Sequence, residues 1–368
     1  MTERLAIITG ISGQDGTCLS QLLRDKGYHV FGLYRGRRTT CNPSPSTQIT
    51  EIEGDVVNRR VMDDLISTVL SEHCRIGSKH PIELYHLAAE SHVKQSFDDP
   101  TRTINSNVNG ALNVLEAVRS CDSTARPLFR IYLAGSSEMF GHATETPQHE
   151  NTPFEPYSPY GISKVCGFEL GKYYRRVCGM FVSNGILYNH ESEYRPVTFV
   201  TRKITQYAAK VKAVQVSEDL AQSAIEPLRV GSLDAQRDWG SAKDYVMSMW
   251  LMLQHHTPDD FVVATGMTHT VRQLVEQVFD CIGVSLTWNG IGGLEKGCLA
   301  GTKKVLVEVD PQHYRPVESS SILCGNHSKA IETLGWSATR TLRNVLAEMV
   351  DYDLNLLPTE FARSSELP

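Results

Sequence analysis

The sequence lacks the features that would assign it to several large classes of protein. It has no apolar run near the roughly 20 residues that cross a bilayer. Its nine cysteines form no Cys-x-x-Cys pair, a pattern that disfavours a disulfide framework or a zinc site and suits reduced thiols in the cytoplasm. It has no excess of positive charge, because the formal net charge is −6. We therefore expect a cytoplasmic protein without a metal, whose main partner is neither nucleic acid nor a membrane.

What the sequence does contain is a regular alternation of short apolar runs and amphipathic stretches. The predicted strands of the first half are residues 5–8, 28–34, 83–87, 129–134 and 181–187. The predicted helices of the same half are residues 15–26, 58–70, 105–119 and 158–176. Alternation at this spacing predicts an α/β fold, a Rossmann-type doubly wound parallel sheet with helices on both faces.

The second half of the chain is less regular and indicates a second, smaller domain. Its helical patterns cover residues 199–212, 243–254, 270–281, 328–334 and 342–356. We divide the chain into a Rossmann domain over residues 1–187 with parts of 229–265, and an interlaced α/β substrate-binding domain over 188–228 and 266–357. Residues 358–368 are interpreted as a tail outside the core.

Three glycines, Gly10, Gly13 and Gly16, lie between the first predicted strand and the first predicted helix. Without side chains they let the backbone approach a pyrophosphate, and the helix N-terminus offers its N–H groups to the phosphates. Glycine spacing of this kind also occurs in ordinary turns. Its place between a strand and a helix favours a dinucleotide-binding site over a purely structural turn.

The stretch after the second predicted strand is basic. Arg35, Arg37 and Arg38 stand where an NAD site would place an acid for the ribose 2′-hydroxyl, and no acid follows before Glu51. Three arginines suit a 2′-phosphate, so we predict NADP rather than NAD as the cofactor. The alternative is a solvated basic loop. Asp55, after the stretch TEIEG (50–54), could hold the edge of the adenine.

Tyr160 and Lys164 are one helical turn apart on the same face of a predicted helix. A tyrosine titrates near ~10 and is a poor base at neutral pH. An adjacent ammonium and a positive nicotinamide ring favour the phenolate and lower that pKa. The Tyr-x-x-x-Lys motif alone is weak, since one match arises easily by chance, but it lies where an oxidoreductase needs it.

The stretch LAGSSEMFG, residues 133–141, ends a predicted strand in two hydroxyls and a carboxylate. Open α/β sheets bind ligands outside such strand ends, so Ser136 could share a substrate oxygen with Tyr160. Glu138 is additional, because oxidising an alcohol needs no second base. It becomes useful if a proton must also leave a carbon next to the new carbonyl. The alternative for Glu138 is an acid that only caps a turn.

At this point the motifs match a known family. The stretches that carry the resemblance are TGISGQDG (9–16), HLAAESHVKQSF (86–97), GSSEMFG (135–141), SPYGISK (158–164), LYNHES (187–192), TFVTRKI (198–204), LDAQRDWGSAKDYVMSMWLML (233–253) and VDPQHYRPVE (309–318). With these in order, the chain resembles the extended short-chain dehydrogenases/reductases and, within them, the GDP-mannose 4,6-dehydratase family. The resemblance covers roughly residues 4–356.

The resemblance implies a three-stage reaction on GDP-mannose with a retained NADP. Tyr160, helped by Lys164 and Ser136, would remove the proton of the mannose 4-hydroxyl while a hydride passes from C4 to the cofactor. Glu138, with Ser137 beside it, would then remove the C5 proton and assist loss of water from C6. Hydride return to C6 gives GDP-4-keto-6-deoxymannose without net redox change.

The resemblance also implies which residues hold the two ligands. The implied cofactor contacts are Gly10, Ser12, Gly13, Gln14, Asp15, Arg35, Asp55, Val56, Leu87, Ala88, Ala89, Ser91, Tyr160, Lys164, His190 and Arg195. The implied substrate contacts are Ser91, Ser137, Glu138, Asn189, Lys203, Arg229, Arg237, Arg315 and Glu318. For Arg237 the alternative is a structural ion pair with Asp234 or Asp238, and for His190 it is a hydrogen-bonded core histidine.

The chain departs from the family's usual pattern at several positions. Ser136 stands where threonine is usual, which keeps a hydroxyl, and Glu90 stands where glutamine is common, which adds an acid near the cofactor. In the family the arginine loop reaches a neighbouring subunit and supports a tetramer. Because this loop differs here, we predict a homo-oligomer that is either a dimer or a tetramer.

Three other functions stay open at this stage. A nucleotide-sugar epimerase or reductase would need Tyr160 and Lys164 but would leave Glu138 idle. A bifunctional dehydratase would also reduce its 4-keto product to GDP-rhamnose. An NADP-binding sensor with a dead site fits poorly, because every reacting group is present.

Overall fold

The computed structural model describes residues 4–36, 48–217, 219–310 and 322–364. Four residues of the predicted ligand contacts, Arg37, Arg38, Arg315 and Glu318, lie outside the described residues. The chain divides into two compact units. The first takes Met1–His190, Ala242–Gly266 and Leu323–Ala338, and the second takes Glu191–Ser241, Met267–Ile322 and Thr339–Pro368.

A seven-stranded sheet forms the centre of the first unit. Its strands are β1 (Arg4–Thr9), β2 (Tyr28–Tyr34), β3 (Ile49–Glu53), β4 (Ile82–His86), β5 (Phe129–Ala134), β6 (Phe181–Leu187) and β10 (Asp260–Val263). Their order is β10-β6-β5-β4-β1-β2-β3, and every pairing is parallel. The predicted doubly wound parallel sheet is therefore confirmed. Strand order reverses between β1 and β4, which is where such sheets bind ligands.

Helices surround this sheet. They are α1 (Gln14–Asp25), α2 (Arg59–Ile76), α3 (Val93–Asp98), α4 (Pro100–Ile104), α5 (Gly110–Arg119), α6 (Pro159–Arg176), α8 (Ala242–Gln254) and α10 (Ser328–Leu334). The helix predicted over residues 105–119 begins as a π-helical turn, Asn105–Asn109, before α5. Aliphatic side chains from both faces fill the core, with Leu5, Ile7, Leu65 and Leu115 among the fully buried ones. Their burial supplies the main stabilisation of the unit.

The described residues of the second unit form three helices and several short strands. Its strands are β7 (Asn189–Glu191, which begins in the last residues of the first unit), β8 (Leu228–Val230), β9 (Gln236–Ser241), β11 (Thr268–Thr270), β12 (Leu286–Asn289), β13 (Lys296–Leu299) and β14 (Val305–Val309). Its helices are α7 (Val200–Ser217), α9 (Val271–Cys281) and α11 (Leu342–Ser364). Two small sheets have the orders β12-β13-β14-β8 and β11-β9-β7. A core of its own, including Leu274, Phe279, Leu306 and Leu346, joins the helices to the strands.

Of residues 229–265, the first unit takes the part from Ala242 onward, while 229–241 fall in the second unit, where β9 pairs with β11. Leu323–Ala338 falls in the first unit, whereas the predicted domains place it in the second. Helix α11 runs to Ser364 and so includes part of the stretch predicted as a tail. Among the described residues, no helix combines the length and apolar content that crossing a membrane requires. The described His, Cys, Asp and Glu side chains include no group of three that could hold a metal ion.

Candidate active site

The turn between β1 and α1 has the backbone shape that a pyrophosphate needs. Gly10 adopts a φ of +76°, and its amide donates to the Leu33 carbonyl at 2.8 Å. A side chain on Gly10 would come within 2.9 Å of the Ala88 backbone, and one on Gly16 would overlap the Gly10 carbonyl oxygen. Gly13 is the N-cap of α1, and no side chain caps this helix. The cradle therefore fits the phosphates of a dinucleotide cofactor.

Thr9 and His86 join the ends of β1 and β4 at the point where strand order reverses. The Thr9 hydroxyl oxygen accepts the N–H groups of Leu87 and Ala88 at 3.2 and 3.3 Å and lies 2.9 Å from His86 Nδ1. This pattern assigns the hydroxyl hydrogen to His86 Nδ1 and the ring proton to Nε2. Burial, with a smaller effect of the Lys164 charge, lowers the pKa of His86 to about 3. The ring is therefore neutral at physiological pH.

The first residues of α1 contact His190. Gln14 Nε2 donates to the His190 carbonyl at 3.0 Å, and both Asp15 carboxylate oxygens lie 3.0 Å from His190 Nε2. His190 Nδ1 lies 2.7 Å from the Tyr188 carbonyl oxygen, and its ring packs on Tyr245 with centroids 4.6 Å apart. His190 is thus a buried, hydrogen-bonded histidine that adjoins the predicted cofactor turn. Its cofactor contact stays a prediction.

Arg35, the predicted 2′-phosphate ligand, follows β2 and is held by two acids. Its Nη1 lies 3.2 Å from Asp55 Oδ2, and its Nη2 lies 2.6 Å from Glu90 Oε1. The same Glu90 oxygen accepts from Arg102 Nη2 at 2.9 Å. The hydrogen bond to Glu90 is the largest of the effects that raise the pKa of Arg35. Sequence reasoning does not connect Glu90 and Arg102 to Arg35, because they lie on separate elements.

The remaining predicted cofactor contacts lie along the same edge of the sheet. Val56, after β3, is buried, while Leu87, Ala88 and Ala89 are partly exposed after β4. Ser91, which follows them, is exposed. Because β3 and β4 are parallel to β1 and β2, these residues lie at the carboxyl ends of the strands that flank the glycine turn.

The turn after β5 carries Ser136, Ser137 and Glu138. Ser136 is the N-cap of a 3-10 turn, Ser137–Met139, and its hydroxyl oxygen accepts the Glu138 N–H at 3.2 Å. Both serines are buried and Glu138 is partly buried. The Gly135 amide donates to the Gly185 carbonyl at 2.7 Å, which fixes the turn against the end of β6. The turn that carries Glu138 is therefore fixed by hydrogen bonds at the carboxyl edge of the sheet.

Helix α6 carries Tyr160 and Lys164 in its first two turns. Ser158 caps it by accepting the Gly161 N–H at 3.0 Å. Lys164 Nζ lies 5.8 Å from the centre of the Tyr160 ring and donates to the Ala134 carbonyl at 2.8 Å. Burial lowers the pKa of Lys164 to about 8, although the nearby Asp15 charge opposes this change. The pair thus has an ammonium that loses its proton near neutral pH.

The first turn of α6 packs directly on the turn that holds Glu138. A Cβ on Gly161 would lie 2.7 Å from the Glu138 carbonyl oxygen and 3.0 Å from Pro156 Cβ. No side chain fits between the two elements. The contact brings the backbone of the Glu138 turn against the helical turn that carries Tyr160. A site that combines oxidation with proton removal from carbon needs an acid near such a pair.

Asn107 is a residue of this site that sequence reasoning misses. It lies in the π turn Asn105–Asn109, where its Nδ2 donates to Ser163 Oγ at 2.9 Å and to the Glu90 carbonyl at 3.1 Å. Its Oδ1 accepts the Glu90 N–H at 2.8 Å. Asn107 therefore ties α6 to the segment after β4. An asparagine within a helical pattern gives no local signal of such a role.

The predicted substrate contacts of the second unit lie on separate elements. Lys203 is exposed on α7. Arg229 in β8 lies 3.1 Å from Glu308 and keeps 69% of its side chain exposed. Arg237 in β9 donates to the Gln236 carbonyl at 2.8 Å. Its predicted alternative partner Asp234 pairs with Arg272 instead, at 3.2 Å.

Two further predicted contacts lie near the beginning of the second unit. Asn189, the last residue but one of the first unit, is half-buried at the start of β7. Arg195 lies 3.3 Å from Glu191 and has its guanidinium 3.8 Å from the centre of the Phe199 ring. The contacts with Glu191 and Phe199 fix the direction of the Arg195 side chain. The role of Arg195 toward the cofactor stays a prediction.

Comparison with known proteins adds an independent result. A family model described as GDP-mannose 4,6 dehydratase matches residues 7–349. A GDP-mannose 4,6-dehydratase of Sinorhizobium fredii (strain HH103) is 42% identical over 97% of this chain and 99% of its own length. The GDP-mannose 4,6 dehydratase of Homo sapiens is 41% identical over 97% of this chain and 93% of its own.

Solved structures support the fold. UDP-glucose 4-epimerase of Thermotoga maritima, solved with UDP-glucose, has a TM-score of 0.76 at 19% identity and covers 96% of this chain and 99% of its own. RMD of Pseudomonas aeruginosa, solved with NADPH, has a TM-score of 0.69 at 20% identity, with the same coverage of 96% and 99%. At these identities the likeness establishes the Rossmann-type fold alone.

Proposed function

The chain belongs to the GDP-mannose 4,6-dehydratase family, and we propose that it converts GDP-D-mannose to GDP-4-keto-6-deoxy-D-mannose with NADP. The observation that carries this function is the contact between the turn of Glu138 and the first turn of α6. An alcohol dehydrogenase needs Tyr160 and Lys164 but has no use for a further acid here. A dehydratase needs that acid for the carbon next to the new ketone.

The oxidation uses the residues of α6 and the turn after β5. Tyr160 takes the proton of the mannose 4-hydroxyl, and Ser136 donates a hydrogen bond to the same oxygen. The Lys164 ammonium favours the phenolate form of Tyr160. The bound cofactor supplies the hydride chemistry, acceptance from C4 and later return to C6.

The elimination uses Glu138, with Ser137 beside it. The 4-keto group acidifies the C5 hydrogen, and the Glu138 carboxylate takes it as a proton. Glu138 then gives a proton to the 6-hydroxyl, which leaves C6 as water. When the hydride has returned to C6, C5 takes up a proton, which balances the proton that Tyr160 removed from the 4-hydroxyl. One water is lost and the sugar has no net redox change, so the cofactor is needed only in catalytic amount.

NADP is proposed over NAD because of the residues after β2. Arg35 lies at the carboxyl end of that strand, where the adenine ribose is expected, and a guanidinium binds a phosphate with two parallel hydrogen bonds. The Gly10 to Gly16 cradle holds the pyrophosphate, and Asp55 lies at the end of β3 toward the adenine. His190 and Arg195 complete the proposed cofactor contacts.

The proposed substrate contacts are mostly cationic or polar. Arginine and lysine neutralise the diphosphate, and the acids and amides orient the sugar and base. They comprise Ser91, Asn189, Lys203, Arg229, Arg237, Arg315 and Glu318, besides the reacting Ser137 and Glu138. A homo-oligomer, as dimer or tetramer, and a cytoplasmic location are part of the same proposal.

Incubation of the chain with GDP-mannose and a catalytic amount of NADP⁺ tests the function. Dehydration gives a 4-keto sugar that absorbs in alkali, and no NADPH accumulates. Reduction of all the added NADP⁺ to NADPH, with a reaction that then stops, would identify a dehydrogenase instead. Consumption of added NADPH together with loss of the 4-keto product would identify further reduction to GDP-rhamnose.

Two variants test the role of the acid. Glu138→Gln should abolish formation of the 4-keto sugar and leave cofactor binding unchanged, because the amide keeps the shape of the turn but takes no proton. Glu169→Gln, an exposed position on α6, makes the same change of charge and should keep full activity. Full activity of Glu138→Gln would refute the mechanism.

A further inference from the structure

Four charged side chains near the carboxyl edge of the sheet form a group that takes no part in the proposed chemistry at C4, C5 and C6 of the sugar. We call Arg35, Asp55, Glu90 and Arg102 the Arg35 cluster. It contains two guanidiniums and two carboxylates, so its formal charge is zero. The shortest contact in it is that between Arg35 Nη2 and Glu90 Oε1, at 2.6 Å.

The cluster lies where the adenine ribose of a dinucleotide is expected. Arg35 follows β2, Asp55 follows β3 and Glu90 lies four residues after β4. These strands flank β1 and its glycine turn in the order β4-β1-β2-β3, all parallel. The residue after the second strand of such a fold faces the ribose 2′ position.

The position of Glu90 is built into the fold. Its N–H donates to Asn107 Oδ1 at 2.8 Å, and its carbonyl accepts from Asn107 Nδ2 at 3.1 Å. Asn107 itself is buried and also bonds to Ser163. The Glu90 side chain is 21% exposed, against 51% for Arg35. Asn107 therefore holds the backbone of Glu90 on its buried side, and Arg35 covers the Glu90 carboxylate on the solvent side.

Both terminal nitrogens of Arg35 contact a carboxylate. Nη2 lies 2.6 Å from Glu90, and Nη1 lies 3.2 Å from Asp55, whose other oxygen accepts the Val57 N–H at 3.1 Å. A 2′-phosphate that binds Arg35 must exchange with one of these carboxylates or approach while they stay near it. Both routes place like charges close together.

We propose that Glu90 is a specificity-determining residue. Its carboxylate competes with the 2′-phosphate of the cofactor for Arg35 and so reduces the factor by which the chain prefers NADP over NAD. With NAD, the carboxylate needs no exchange and can accept a hydrogen bond from the ribose 2′-hydroxyl. This inference rests on the proposed use of NADP, and it names the residue that sets how strongly NADP is preferred over NAD.

Arg102 weakens the competition between the Glu90 carboxylate and the 2′-phosphate for Arg35. It donates to Glu90 Oε1 from Nε at 3.1 Å and from Nη2 at 2.9 Å, so the carboxylate is shared between two guanidiniums. Hydrogen bonds from Arg35 and Arg102 together outweigh partial burial and lower the pKa of Glu90. The acid is therefore charged at neutral pH and acts on a phosphate as an anion.

Equilibrium binding of two probes tests the proposal. Adenosine 2′,5′-bisphosphate differs from adenosine 5′-monophosphate (AMP) only by its 2′-phosphate, so the ratio of their dissociation constants isolates recognition at the 2′ position. Titration calorimetry on the full, cofactor-free chain measures both for the natural chain, Glu90→Gln, Arg102→Gln and the double variant. Glu169→Gln, an exposed acid on α6, serves as the matched control for charge.

Glu90→Gln should bind the bisphosphate about fivefold more tightly, the scale of one charge contact near the surface, with AMP binding unchanged. Arg102→Gln should weaken the bisphosphate. That loss should shrink in the Glu90→Gln background, because Arg102 acts through Glu90. Glu169→Gln should change neither affinity.

Equal or weaker bisphosphate binding by Glu90→Gln, with normal AMP binding, would overturn the inference, as would equal gains for both probes. AMP binding also reports that each variant is folded. The assay for the 4-keto sugar decides the proposed reaction separately, because a chain that dehydrates GDP-mannose does so whatever the ratio of the two affinities.

Discussion

At the scale of single residues, burial sets the charge of the groups at the proposed reacting pair. Lys164 is partly buried and donates to the Ala134 carbonyl, and His86 nearby is kept neutral by burial. Because Lys164 has its pKa lowered to about 8, its charge changes within the range of ordinary assays. The ammonium that we propose to favour the Tyr160 phenolate is therefore sensitive to mild alkali.

We expect kcat/KM for GDP-mannose to fall as pH rises above about 8. A lowered pKa means that the ammonium is present below that value and is lost as pH rises through it. Lys164→Arg, whose guanidinium keeps its charge, should lose this descending limb even if its maximal rate is lower. A natural profile that stays flat to about pH 10, the ordinary range of a lysine, would contradict the assignment.

At the scale of elements, glycines set how closely helix α6 approaches its neighbours. Gly161 abuts the Glu138 carbonyl, and Gly171 lies against the side chain of Asn184. Gly167, on the same helix, has no heavy atom within 4 Å of the position that a Cβ would take. One helix thus contains glycines that close packing requires and one that it does not.

Gly161→Ala and Gly167→Ala should have opposite effects. The first places a methyl group 2.7 Å from the Glu138 carbonyl oxygen, so it should destabilise the chain by about 1–3 kcal/mol and reduce turnover. The second fills open space on a helix and should stabilise by about 0.5–1 kcal/mol. Denaturant unfolding measures both. Equal effects would show that the close approach of α6 does not matter.

A buried ion pair joins two long helices of the second unit. Arg202 on α7 bonds to Asp353 on α11, with only 4% and 3% of their side chains exposed. Asp353→Asn should cost about 3–5 kcal/mol of unfolding free energy, because it leaves a buried guanidinium without its counter-charge. Glu348→Gln, at the half-exposed pair with Arg340, should cost no more than about 1 kcal/mol. A small loss at Asp353 would mean that water reaches Arg202.

At the scale of the whole molecule, local patterns predict the first unit better than the second. Buried strands such as Phe129–Ala134 are mainly apolar, and the bounds of this strand agree with prediction. The edge strand Ile49–Glu53 has two glutamates among its five residues and is not among the predicted strands. In the second unit some strands are short and polar, as in Gln236–Ser241, which pairs with a strand distant in sequence.

The candidate site also has features that local sequence patterns predict and features that they do not. The glycine turn, Tyr160 and Lys164 have fixed local spacings and can be predicted from sequence. The ion pairs of Arg35 with Glu90 and Asp55 depend on which strand ends become neighbours, and no local pattern contains that information.

The division into two units leads to a prediction about fragments. Each unit is assembled from three segments that alternate along the chain, so no single cut separates them. A fragment that ends at His190 keeps most of the first unit but lacks β10, which pairs with β6, and α8, which packs on α1. It would expose the edge of β6 and the apolar surface under α8. We therefore expect it to aggregate or to unfold without a cooperative transition in circular dichroism.

A chain that ends at Ser364 keeps every described element and should unfold as the natural chain does. The contrast separates loss of length from loss of packing, because only the shorter fragment breaks the seven-stranded sheet. A fragment ending at His190 that melts cooperatively and binds ADP would show that Met1–His190 folds alone. The turn between β1 and α1 would then form without β10 and α8. These two elements would only pack onto a core that folds without them.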